Sequence, residues 1–163
     1  MSTIHQESIG LETEPEEEVE IKTAQADTPS IRIAWRDHWQ WRLRSAEALA
    51  AQLDPERFGV RGLYIFGSTK NATAGPESDI DILIHFRGTD AQRKELRAWL
   101  EGWSLCLGYF NYLHTGYKVG DLLDIHIITD EDIKNQTSYA VKIGAITDAA
   151  RPLTMKDDHM PLE

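Results

Sequence analysis

Between Gly62 and Phe86 the chain reads GLYIFGSTKNATAGPESDIDILIHF, and few folds can carry this stretch. It joins two short apolar segments, each strand-like, through a Gly-Ser turn and ten turn-rich residues, Thr69 to Ser78. The second segment opens with two aspartates one residue apart, Asp79 and Asp81. Successive strand side chains point to opposite faces, so residues i and i+2 project to the same side about 6.5–7 Å apart. Asp79, Asp81, Leu83 and His85 therefore share one face, with Ile80, Ile82, Ile84 and Phe86 on the other. One face suits a core, and the other starts as chemistry. Paired carboxylates can converge on divalent cations. Backbone N–H groups at a glycine turn can approach a phosphate closely, and Ser68 adds a hydroxyl donor.

The next strand-like run is Leu122 to Thr129, LLDIHIIT. Alternation puts Leu123, Ile125 and Ile127 on one face and Asp124, His126 and Ile128 on the other. An aspartate amid apolar neighbours in mid-strand needs a partner, and a cation shared with Asp79 and Asp81 supplies one. His85 and His126 lie on the same strand faces as the acids. Because Mg²⁺ favours oxygen ligands, ordinary polar packing is the expected role for both.

The order strand, Gly-Ser, ten residues, Asp-x-Asp on a second strand, and a later strand-borne aspartate resembles the nucleotidyltransferase superfamily related to DNA polymerase beta. There the pattern is GS-x10-D-x-D followed by a third acid; here Gly67-Ser68, Asp79, Asp81 and Asp124 match it over Gly62 to Thr129. The resemblance implies a small α/β domain of α+β type, a mixed sheet with helices packed on one side. It implies an Mg²⁺-dependent enzyme with two ions, transferring a nucleoside monophosphate, AMP, from a nucleoside triphosphate to a hydroxyl with release of pyrophosphate. Carried over, Gly67 and Ser68 hold the triphosphate, Asp79 and Asp81 bind metal, and Asp124 is third ligand and base. Lys70 is added as a cation beside the cradle that could meet a phosphate. The acceptor is an unidentified protein or small molecule.

Small members of the family often carry arginines and a further glycine just after Gly-Ser, where this chain has Thr69, Asn71 and Ala72. That departure motivates a competing reading, a nucleotide-binding regulatory or interaction module acting with a partner protein.

The formal charge is −10, but residues 1–30 hold eight acids and one base, so the remaining 133 residues carry only −3. A basic surface for nucleic-acid backbone is absent from this balance, and no nucleic-acid partner is expected. Residues 1–29, with EPEEEVE at Glu14–Glu20, are expected to be a disordered acidic tail. Residues 30–150 are expected to form the domain, and 151–163 a loosely packed tail. With no basic start followed by an apolar core, and no run of eighteen apolar residues, the expectation is a cytoplasmic protein without membrane association. Cys106 is the single cysteine and lies in an apolar run, which suggests a buried thiol.

Helices are predicted over about Ile31–Leu53, ended by Asp54-Pro55, and over Ala91–Trp103 with continuation toward Leu113. In the first, Ile31, Trp35, Trp39, Ala46, Leu49 and Leu53 form the apolar face, with Trp41 off it. In the second, Leu96, Trp99, Leu100 and Trp103 suit packing on a sheet. Single helical turns are expected within Thr69–Ala74 and Asp130–Lys134.

Overall fold

The computed structural model describes residues 37–156. Three of the expected strands form, and a fourth joins them. The elements are α1 (His38–Gln52), α2 (Pro55–Phe58), β1 (Val60–Phe66), α3 (Gly67–Lys70), β2 (Ile80–Phe86), α4 (Asp90–Thr115), β3 (Leu123–Ile128), α5 (Asp130–Lys134), a 3₁₀ turn (Ala140–Lys142) and β4 (Arg151–Pro152). The sheet order is β3-β2-β1-β4. β1 runs antiparallel to both β2 and β4, while β2 and β3 are parallel. Parallel neighbours need a long crossover, and α4 supplies it.

Local chemistry marks the helix boundaries. The Asp54 side chain accepts from Arg57 N–H at 3.0 Å and Pro55 takes the first turn of α2, where its missing N–H costs nothing. Thr89 and Gln92 close a capping box on α4, and Gly116 ends that helix in the left-handed region. Thr129 and Asp132 cap α5 in the same reciprocal way. α4 continues well past Trp103: Leu107 and Phe110 extend its core-facing side, whereas Leu105, Tyr109 and Leu113 face outward.

The main core lies between one sheet face and helices α1, α2 and α4. Leu63, Ile65, Ile80, Ile82, Ile84 and Leu123 of the sheet meet Ala46, Leu49 and Leu53 of α1, Phe58 of α2, and Leu96 and Leu100 of α4. A smaller cluster of Phe66, Leu83, Ile128, Ala140 and Ala150 covers part of the opposite face. Leu83 thus shares a strand face with the acids and is nevertheless fully buried.

Four expectations are corrected. Ala46 and Leu49 of α1 and Leu53 at its C-terminal end are buried as expected, but the face enters through Trp41 and Arg42, so Trp41 is core while Trp39 is half-exposed. Cys106 is exposed, because it sits on the outward side of α4. The 3.6-residue period turns it away from the buried Ser104 and Asn111. Asp79 falls just before β2.

The fourth correction is the C-terminal boundary. Residues 151–156 are not a loose tail: Arg151 and Pro152 pair with Ile65 and Tyr64, Leu153 N–H donates to Leu63 O at 2.8 Å, and Leu153 and Met155 enter the core. An uncovered β1 edge would leave backbone groups unpaired, and this segment covers it. The expected start of α1 at Ile31–Arg36, the tail over 1–29 and residues 157–163 lie outside the described residues. Among the described residues, no helix is long and apolar enough to cross a membrane.

Candidate functional site

Parallel pairing of β2 and β3 sets Asp81 directly beside Asp124. Neighbouring strands lie about 4.8 Å apart, so two carboxylates in register on one face crowd each other. The effect is visible on Asp81, whose pKa is pushed up to about 6. Burial is the largest cause, followed by the charges of Asp79 and Asp124, with His126 and Lys142 opposing. Asp79, at the entry to β2, is thus within electrostatic reach of the pair.

The structure gathers Asp81, Asp124 and His126 more tightly than it gathers the three aspartates. One carboxylate oxygen of each acid and one His126 ring nitrogen all lie within 4.8 Å of one another. His126 Nε2 is 3.1 Å from Asp124 Oδ2, and the ring stacks on Tyr139 with centroids 3.9 Å apart. Both histidines are packed through polar contacts as expected, and His126 also lies among the close donor atoms. His85 bonds Asp130 Oδ1 at 2.7 Å, Arg87 bonds Asp130 Oδ2 at 2.6 Å, and the two hold the Asp130 carboxyl below its ordinary range.

Gly67 and Ser68 begin α3, one turn long, and Gly67 lies directly against Asp81. Gly67 has φ +67°, and a Cβ there would sit 2.9 Å from Asp81 Cγ. Only a glycine leaves the Asp81 carboxylate its place beside the turn. Two half-buried carboxylates in register, Asp81 and Asp124, an imidazole beside them, and a backbone that yields space next to Asp81 form a donor set that fits a divalent cation.

Lys70 is engaged elsewhere. Its Nζ donates to Asp148 Oδ1 at 2.8 Å and to Ala149 O at 2.9 Å, fastening α3 to the 148–150 segment. The lysine whose charge reaches Asp81 is Lys142, a smaller influence than His126; it lies 5.3 Å from the Phe66 ring centroid and 3.8 Å from Asp148 Oδ2. Sequence reasoning missed Lys142, since nothing in Ser138–Ile146 ties that segment to the site.

It also missed the support beneath Asp79. Arg42 is fully buried; Nε donates to Ser78 O at 3.0 Å, Nη1 to His38 O at 3.0 Å, and Nη2 to Asn111 Oδ1 at 3.0 Å and Pro76 O at 3.4 Å. Asn111, also fully buried, donates Nδ2 to Pro76 O at 3.0 Å and Tyr117 O at 3.2 Å. Two helices thus grip the loop leading into Asp79. Burial lowers the Arg42 pKa to about 10, and the Asp79 charge partly offsets that. The available signal was a polar residue at a buried helical position: Arg42 one turn before Ala46, and Asn111 next to Phe110.

Within that loop Ala72 adopts φ +59°, a left-handed conformation that costs a residue with a Cβ about 1–2 kcal/mol. A glycine at this position would carry no such strain.

A small mixed sheet with acids in register on parallel strands, beside a Gly-Ser turn that abuts them, is the architecture of a polymerase beta-like nucleotidyltransferase fold. The family model for the nucleotidyltransferase domain matches residues 51–153, and the chain belongs to that family. No curated protein matches the chain at a significant level, and no solved structure does.

Proposed function

We propose that the chain is a divalent-metal-dependent nucleotidyltransferase that moves AMP from ATP to a hydroxyl of a protein or small-molecule acceptor. The observation that carries this reading is the in-register pair Asp81 and Asp124, with Asp81 lying against the Gly67 turn. Asp79, Asp81 and Asp124 are the groups to hold Mg²⁺, with two ions expected, and Gly67 and Ser68 are the groups to receive the triphosphate. When bound, the ions supply charge neutralisation on the phosphates and a more acidic acceptor hydroxyl.

Asp124 accepts the acceptor's proton as the hydroxyl oxygen forms a bond to the α-phosphorus. The bond from that phosphorus to the bridging oxygen breaks, and pyrophosphate leaves with the electron pair. Arg42 and Asn111 keep the loop before Asp79 in place, so its carboxylate is positioned before substrate arrives. Lys142 adds positive charge on the side of Asp81.

The test is incubation with each α-labelled nucleoside triphosphate, divalent cation and a host lysate. Label should pass to an acceptor, most strongly from ATP, and should be lost with Asp79→Asn, Asp81→Asn and Asp124→Asn. Absence of transfer from all four triphosphates would sink the enzyme reading.

A second reading, a nucleotide-binding regulatory module, is favoured by two observations near the turn. Ala72 is strained by its positive φ, and Lys70 is held by Asp148. Metal-dependent triphosphate binding with no transfer to any acceptor is its signature.

A further inference from the structure

We propose that His126 is a metal ligand, and that with Asp81 and Asp124 it forms a subsite selective for a first-row transition-metal ion over Mg²⁺. The inference rests on the reading of this face as a metal centre; it is independent of whether a nucleotidyl group is transferred.

Placement comes first. Asp124 and His126 are two residues apart on β3 and so share a face, while Asp81 is the register partner of Asp124 on β2. Their donor atoms fall within 4.8 Å of one another. Ligand bonds of about 2.0–2.2 Å let one ion bridge donors up to about 4.4 Å apart, so small side-chain rotations close the set.

Pre-orientation comes second. The His126 ring lies nearly flat on Tyr139, at an interplanar angle of 22°, and its centroid is 5.7 Å from that of Phe66. These two rings fix the imidazole plane, and its Nε2 edge is turned to Asp124. A ring held this way gives up little freedom when a cation arrives.

Donor chemistry comes third. Mg²⁺ is hard, takes oxygen, and gains little from an imidazole. Two carboxylates and one imidazole form a borderline set, which suits Mn²⁺, Co²⁺ or Zn²⁺ and leaves positions for water or phosphate oxygens. Asp79 lies outside this three-donor group and remains for an oxygen-only ion shared with Asp81.

Pulsed EPR on the Mn²⁺-loaded protein reads the claim directly. The wild type should show ¹⁴N coupling from a directly bound imidazole, and His126→Gln should lose it. In equilibrium titrations His126→Gln should weaken Mn²⁺ binding at least about tenfold and Mg²⁺ binding less than about twofold. His126→Asp, which restores an oxygen donor, should shift preference back toward Mg²⁺. Mn²⁺ bound by the wild type without nitrogen coupling would overturn the proposal, as would equal losses for Mn²⁺ and Mg²⁺ in His126→Gln. Nitrogen coupling in a protein that transfers no label would retain this proposal and remove the enzymatic reading.

Discussion

The acid-bearing strands and the 67–78 segment that faces them are built by different means. Asp81 and Asp124 are positioned by backbone: a parallel ladder from Ile80↔Leu123 to His85↔Ile128 sets both, with Ile82 and Ile84 buried behind them. The 67–78 segment has one helical turn of its own and is held by side chains from far along the chain. Arg42 and Asn111 grip Pro76 and Ser78, and Lys70 ties the start of the segment to Asp148. A sheet tolerates change at a single side chain; a loop gripped by two buried polar residues does not. The acids are therefore the robust half of the site, and the loop is the half that substitutions can detune.

Removing an acid should have the largest effect. Asp81→Asn or Asp124→Asn is expected to reduce nucleotidyl transfer on the order of 10³-fold or more, read by label incorporation. The same Asp81→Asn should make the metal-free fold more stable. The Asp81 pKa is raised in the folded state, so its ionised form opposes folding once the pH exceeds the ordinary carboxylate value near 3.8, and fully so above about 6. At pH 7 the gain is on the order of 1–2 kcal/mol after allowance for solvent screening, and it vanishes below pH 4; thermal melts at the two pH values measure it. Metal affinity in the wild type should fall as pH drops through 6, when a proton competes for Asp81.

Gly67→Ala comes next. Its Cβ would displace the Asp81 carboxylate, and transfer should fall about 100-fold while the sheet survives, as checked by kinetics and far-UV circular dichroism. Arg42→Met should destabilise by about 3 kcal/mol in urea unfolding, because Ser78 O, Pro76 O and Asn111 Oδ1 lose a donor. Adding Asn111→Leu should cost less than the sum of the two single changes, since both act on one network. The smallest effect is expected from Ala72→Gly, a gain of about 0.5–1 kcal/mol from relief of the positive φ.

What could be read beforehand follows the same division. Alternation in Ile80–Phe86 and Leu123–Ile128 exposes strands and faces in the sequence itself, so the strand positions of Asp81 and Asp124 and the fold class were legible. The closeness of His126 to Asp81 and Asp124 was not, because alternation reports a face but not the spacing of donor atoms on it. Lys142, Arg42 and Asn111 reach the site only through packing: they lie 61, 39 and 30 residues from Asp81 in the chain, and no periodic pattern links them to it. Arg151–Lys156 carries no alternation long enough to announce a strand, yet the open edge of β1 recruits it. Trp41 shows the limit of helical periodicity, where a small error in phase exchanges core for surface, and Cys106 shows that an apolar run does not by itself say which of its residues is buried.

The central claim, that the acids hold a cation through which a nucleoside triphosphate is bound, is tested most directly by calorimetric titration of ATP into the protein. The account predicts saturable binding that requires a divalent cation and disappears both with chelator and in Asp79→Asn and Asp124→Asn. Binding of equal strength in chelator, or in both variants, would contradict it.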